Sequence, residues 1–174
     1  MSFHTTFKTE RLIIRPTSEE DAEFIFKLMN TQQWQEYIGD RNIKSVEIAE
    51  TYVKSKILPQ FARLGYGNYT IIRNSDKAKI GTCGLFDREG LNGIDIGFAF
   101  LPEYGKLGFA FEAAERIIIA GFTDFGLKTI LAITTEDNSS SQKLLTKLGL
   151  EAVGTTELPN DSKKLLLYSI ENKS

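Results

Sequence analysis

The sequence predicts a layered α/β or α+β domain, on three observations. Apolar patterns of period two and period 3.6 alternate along the chain. The 174 residues are 41% hydrophobic and 25% charged, a balance that suits a packed core. No low-complexity tract, solenoid-spaced repeat or Pro/Gly/Ser-rich linker interrupts them, so residues 1–174 are expected to form a single domain.

The first strand, Arg11 to Arg15, stops at Pro16, which cannot extend a ladder. Thr17 or Ser18 starts a helix, with Glu19, Glu20 and Asp21 near its positive end and an apolar stripe of Ala22, Phe24, Ile25, Leu28 and Met29. Gly39-Asp40 breaks that pattern. Ser45 opens a second helix carrying Ile48, Ala49, Tyr52, Val53, Ile57 and Leu58 up to Pro59. Strands over 68–73 and 78–85 flank the polar turn Asn74 to Lys77. Residues 94–101 read as a fourth strand, 129–134 as a fifth and 164–170 as the last. Between the fourth and fifth lies a helix with Ala110, Ala113, Ala114, Ile117, Ile118, Phe122 and Phe125 on one stripe, stopped by Gly126.

Composition excludes several function classes. With 21 Lys plus Arg against 23 Asp plus Glu, the net charge of −2 argues against binding to nucleic acid or an anionic membrane surface. One Cys and one His rule out a disulfide framework and argue against a metal site. His4 is given no role, and Cys83, inside a strand without a His partner, reads as core. Met1 to Arg15 holds no signal-peptide core, and the longest apolar stretch, Ile117 to Phe122, is too short to cross a bilayer. The expectation is a soluble, cytoplasmic protein.

The most informative stretch runs from Ile94 to Ala110. Alternation puts Ile94, Ile96, Phe98 and Phe100 on one strand face and Asp95, Gly97, Ala99 and Leu101 on the other. The second face is small and leaves room for a ligand against the backbone, or for a tightly packed helix. A Gly-bearing turn then leads into a helix, an arrangement that offers free backbone N–H groups and a positive dipole end to a phosphate, with Lys106 beside it.

These residues resemble the GNAT acyltransferases, the superfamily of CoA-dependent N-acetyltransferases, and within it the ribosomal-protein (RimJ/RimL-like) branch. Gly108-x-Ala110 is similar to the second half of the family's pyrophosphate motif, and Tyr104 to Ala113 to the branch's longer string. Thr9 to Pro16 matches its opening, Ile80 to Leu85 its third strand, and Asn138-Ser139-Ser140-Ser141 with Leu144-Leu145 and Leu148-Gly149-Leu150 its last helix and following strand. The resemblance implies a mixed, mostly antiparallel sheet of about six or seven strands, flanked by about four helices, with splayed central strands. It implies transfer of acetyl from acetyl-CoA to a primary amine, and a homodimer as one assembly, since many members pair. No metal is implied.

The resemblance also implies roles. Gly105, Lys106, Leu107, Gly108, Phe109, Ala110 and Phe111 would hold the pyrophosphate. Backbone N–H groups around Phe98, Ala99 and Phe100 would hold the pantetheine arm and the oxyanion. Asp95 stands where several members place a Glu base, and a solvated strand-end carboxylate is the alternative. Asn138 would bond the pantetheine and Ser141 would lie near the departing sulfur; the alternative is capping, with a Ser139–Gln142 box. Trp34, Tyr37 and Phe86 would line the acceptor pocket, or pack locally. Lys143 and Lys147 would meet the 3′-phosphate, or simply form a solvated helix face.

The departures are specific. Lys106 replaces a turn glycine, Leu107 the usual Lys, and Leu145 the Tyr that many members use to protonate the thiolate. They motivate an alternative from another class, a non-catalytic acyl-CoA-binding or sensing module. A nucleotide-phosphate enzyme is a third reading, disfavoured because no Lys-Ser/Thr pair follows the glycine.

Overall fold

The computed structural model describes residues 5–159 and 161–173; His4 lies outside them. Its strands are β1 (Phe7–Lys8), β2 (Leu12–Pro16), β3 (Asn68–Arg73), β4 (Lys79–Asp87), β5 (Ile94–Phe100), β6 (Thr129–Thr135), β7 (Glu151–Thr156) and β8 (Leu165–Glu171). They form one sheet in the order β1-β2-β3-β4-β5-β6-β8-β7. Every pairing is antiparallel except β5 with β6, which is parallel and confined to Asp95 opposite Leu131. The sheet therefore has one more strand than the upper expectation, because the two-residue β1 carries too little pattern to read.

The helices are α1 (Ala22–Met29), α2 (Gln32–Tyr37), α3 (Val46–Tyr52), α4 (Leu58–Leu64), α5 (Phe109–Thr123) and α6 (Ser139–Lys147). A 3₁₀ turn over Glu19–Asp21 precedes α1, whose expected stripe is buried in full. Pro59 does not end the second predicted helix. It sits in the first turn of α4, where a missing N–H costs nothing, and the chain reaches it through a π turn over Val53–Ile57.

Two apolar clusters sandwich the sheet. On one face α5 packs across β2, β4, β5 and β6, burying Ala113, Ala114, Ile117 and Ile118 against Ile96, Ile80 and Ile130. On the other, α1 and α3 bury Ile25, Leu28, Ala49 and Val53 with Leu101 and, at its edge, Ala99. The alternation of β5 thus separates two cores, with Ile96, Phe98 and Phe100 on the α5 side. Cys83 is fully buried, as a core residue should be.

A buried polar cluster fixes α1 to the sheet. Asp21 accepts two bonds from Arg15 at 2.7 and 2.8 Å, one from the Thr70 hydroxyl at 3.0 Å and one from the Ser18 amide at 3.0 Å, and pairs with Lys79 at 2.7 Å. Burial alone would raise the Asp21 carboxyl. The bonds from Arg15, Lys79 and the Ser18 amide outweigh it and hold that carboxyl well below the usual range.

Candidate active site

Past the Asp95–Leu131 pair, β5 and β6 make no further ladder, and the residues beyond it on both strands line a cleft of about 710 Å³. The amide of Leu101 donates back to Ile80 on the β4 side, at 2.9 Å. Because strand N–H groups alternate in direction, the amides of Phe98 and Phe100 face the gap and that of Ala99 faces β4. Of the three residues expected to offer backbone donors there, Ala99 is the exception.

The turn ahead of α5 opens on the same cleft, which Gly105 and Ala110 line. Lys106 (φ 63°) and Gly108 (φ 83°) both adopt the left-handed conformation. That geometry explains why a glycine suits position 106, and lysine meets the same requirement at a cost of about 1–2 kcal/mol. The amides of Lys106 through Phe111 donate to no group among the described residues, and no side chain caps the helix. Six N–H groups at the positive end of a fifteen-residue helix are therefore left for an external acceptor. The side chains divide otherwise. Lys106 and Leu107 are exposed, Phe109 turns into the core, and Phe111 lies under the Lys147 ammonium at 4.4 Å.

This turn is braced from the β1–β2 connection. Arg11 donates through Nε to Glu112 at 2.7 Å and through Nη1 to the Leu107 carbonyl at 3.0 Å, and its guanidinium lies 4.2 Å from the Phe109 ring centroid. The Arg11 amide and the Thr9 hydroxyl both donate to the other Glu112 oxygen. Burial pushes the Glu112 carboxyl up, and these donors bring it below its ordinary value. The acidic residue in the first turn is thus tied back into the fold rather than presented to an incoming anion.

At the start of α6, Asn138 is the cap, its Oδ1 accepting the Ser141 amide at 3.2 Å. The Ser139–Gln142 box does not form, because Gln142 Nε2 donates instead to the Thr135 and Glu136 carbonyls. Asn138 and Ser141 both line the cleft. Leu145 is 1% exposed in the α5-side core, so an aliphatic group fills the position of the absent Tyr. Thr135, 4% exposed and also on the cleft wall, has a buried hydroxyl with no partner among the described residues. Lys143 is exposed.

The other end of the cleft holds Asp95, 0% exposed. It is no solvated strand-end carboxylate. Arg88 Nε donates to both its oxygens, at 2.8 and 3.0 Å. Burial pushes the Asp95 carboxyl up, and the charge and hydrogen bond of Arg88 offset only part of that rise. The Arg88 guanidinium lies 5.1 Å from the Phe86 ring centroid, and the Phe86 ring occupies the space that a side chain at position 97 would need. The room on the small face of β5 is thus partly taken by Phe86 and Arg88, and Trp34 and Tyr37 of α2 also line the cleft. The Trp34 Nε1 is buried and has no partner among the described residues.

The cleft therefore brings together Asp95, the β5 residues 98–100, Gly105, Ala110, Asn138, Ser141, Trp34, Tyr37 and Phe86. Arg88, Thr135 and the Arg11–Glu112 brace were not read from the sequence. Arg88 had a usable signal: Gly90 and Gly93 turn the chain between β4 and β5, and a hairpin there brings a cation seven positions before Asp95 back beside it. Arg11 had none, since its partners Leu107 and Glu112 lie about a hundred residues on.

Residues 11–151 match the acetyltransferase (GNAT) domain family. An uncharacterized N-acetyltransferase of Bacillus subtilis, YoaA, is 31% identical over 148 residues, covering 84% of this chain and 83% of that protein. The uncharacterized N-acetyltransferase p20 of Bacillus licheniformis is 30% identical over 153 residues, covering 86% and 84%. Among solved structures, the ribosomal-protein-S5-alanine acetyltransferase of Vibrio fischeri superposes with a TM-score of 0.82 at 18% identity, over 98% of both chains. A RimL ribosomal L7/L12 α-N-protein acetyltransferase in complex with coenzyme A gives a TM-score of 0.82 at 15% identity, over 96% of this chain and 98% of that one.

Proposed function

Belonging to the acetyltransferase (GNAT) family, the chain is an acyltransferase, and we propose that it moves the acetyl group of acetyl-CoA to a primary amine by direct attack in a ternary complex. The observation that carries this reading is one cleft lined both by Gly105 and Ala110, which bracket a turn whose amides from 106 to 111 donate to no described group, and by a buried carboxylate, Asp95. The residues fit the ligand. The amides and the α5 dipole suit a diphosphate, Gly105 and Ala110 leave it room, and the splayed strands admit a pantetheine arm. When bound, acetyl-CoA supplies the thioester whose carbonyl carbon accepts the amine.

The chain's own residues then have four tasks. The amides of Phe98 and Phe100 supply donors for carbonyl oxygen charge as it develops. Asp95 takes the amine's proton, directly or through a water, and the rise in its carboxyl brings it nearer the operating pH. Asn138, its Oδ1 held by the Ser141 amide, keeps its NH₂ for the pantetheine. Ser141 offers the hydroxyl at the position of the departing sulfur, since Leu145 cannot. Trp34, Tyr37 and Phe86 wall the acceptor. An α-amino group suits a single carboxylate base best, because near pH 7 about a tenth of it is neutral, against a few parts in ten thousand for lysine.

The test is thiol release and N-acetyl product formation across a panel of amines, with CoA binding followed by calorimetry. The expected result is amine-dependent release with micromolar-range CoA binding. Binding without turnover of any amine would instead support the non-catalytic module.

A further inference from the structure

We propose that the acceptor carries a carboxylate close to its primary amine and that Arg88 is the residue that pairs with it. This rests on the acetyl-transfer reading above. Arg88 is held on two sides. Its Nε bonds both oxygens of Asp95, and its guanidinium carbon lies 5.1 Å from the Phe86 ring centroid. Its Nη2 lies 3.4 Å from the point where a β-carbon at position 97 would stand, so the absence of a side chain there lets the guanidinium reach the cleft. Nη1 and Nη2 bond no described residue, and the side chain is 30% exposed, within the lining of the cleft. What remains open is one planar edge with two nitrogens, already immobilised, beside the group that takes the amine's proton. That edge matches the two oxygens of a carboxylate, and its ordering entropy is already met by the Asp95 bonds.

The charges around this end agree. Arg41 and Lys56 line the same cleft, and neither pairs with a carboxylate among the described residues. Of the acidic groups on the cleft wall, Asp87 is paired with Arg63 at 3.0 Å and Asp95 with Arg88, while Asp161 accepts only the neutral Lys163 amide at 2.9 Å and keeps its charge, against which Lys163 is a third cation on the wall. In a chain of net charge −2 this is a local cationic excess, and over a few ångströms salt does not screen it away. It repels a polyamine and attracts an acid.

The experiment compares kcat/KM in pairs. Glutamate is set against its diamide, which lacks both carboxylates, and a peptide amide with N-terminal glutamate against its glutamine counterpart; phosphoethanolamine and spermidine complete the panel. The acidic member is expected to lead in the wild type by roughly 10- to 100-fold. Whether the free amino acid or the peptide pair carries that lead identifies the source of the carboxylate. In Arg88→Gln the ratio should shrink to within about twofold. The ratio is the informative quantity, since any disturbance of Asp95 affects both members alike. Should that variant not fold, Arg88→Lys keeps the charge without the fork and should retain only part of the ratio, and the wild-type panel decides by itself. Equal rates within pairs, or a preference for spermidine or phosphoethanolamine, overturns the proposal and leaves acetyl transfer standing. Calorimetry in the presence of CoA separates the converse case. If no amine is turned over yet glutamate binds in preference to its diamide, and Arg88→Gln abolishes that preference, carboxylate pairing stands and acetyl transfer falls.

Discussion

The two ends of the cleft are built on different principles. At the proposed CoA end the donors for the diphosphate are main-chain amides, displayed by two left-handed residues and the start of a long helix, and one stretch of sequence, 106–111, supplies them. At the acceptor end they are side chains from β4, β5, α2, α3 and the loops between, brought together by sheet register and by helix packing. The first kind of site tolerates side-chain change and depends on backbone conformation. The second depends on which side chain stands where, so it can change substrate while the fold and the cosubstrate stay the same.

Substitutions at the two ends should therefore separate. The largest effect is expected at Asp95. Asp95→Asn should lower kcat by about 10²- to 10⁴-fold with CoA affinity unchanged. The pH profile gives the sign. A base must be ionised, so wild-type activity falls as pH drops through the raised Asp95 value. The variant should lose that acid limb and recover in part as pH rises, because more of the amine is then already neutral. An identical profile in both proteins would remove Asp95 from the chemistry.

Gly108→Val addresses the other end. A β-branched residue at φ 83°, with its β-carbon 3.2 Å from Arg11 Nη2, should distort the turn and weaken CoA binding on the order of 100-fold, in a protein that still melts cooperatively. Retained CoA affinity would show that the turn is not the phosphate site.

Asp21→Asn tests whether the helical cover over the acceptor can be loosened without touching the turn. Breaking a buried carboxylate from Arg15 and Lys79 should cost about 2 kcal/mol in denaturant unfolding, reduced from the fully buried case because both cations keep solvent contact. The Asp21 value is depressed in the fold, so its stabilisation is complete above the ordinary carboxylate range and is lost as pH falls toward the folded value. The difference between wild type and variant should vanish in acid. CoA affinity should not change. The smallest effect belongs to Arg11→Ala: the brace is 43% exposed, so stability should fall by under about 1 kcal/mol and CoA affinity by only a few-fold.

Legibility followed the same division. The stripes of α1 and α5, the strands β3 and β5, and the Ser45 cap were read from local pattern because each meets its requirements within a few residues. The α6 cap was read with two candidates, and only the structure selected Asn138, since Gln142 had a better partner in the Thr135 and Glu136 carbonyls. Pro59 was misread as a stop, because a proline is equally at home at a helix start and the π turn before it leaves no apolar signature.

By itself, then, the chain's order of residues determined the alternation of strand and helix, the two faces of β5, and a Gly-bearing turn leading into a helix, because hydrophobic period and turn chemistry act over neighbours. Only the tertiary structure decided that Asp95 is buried against Arg88, that Phe86 occupies the space beside Gly97, and that the Thr135 hydroxyl has no partner among the described residues. Those facts depend on the antiparallel register of β4 and β5 and on the early separation of β5 from β6. Burial and charge pairing are sums over groups distant in sequence, and they take their values only when the chain has closed on itself.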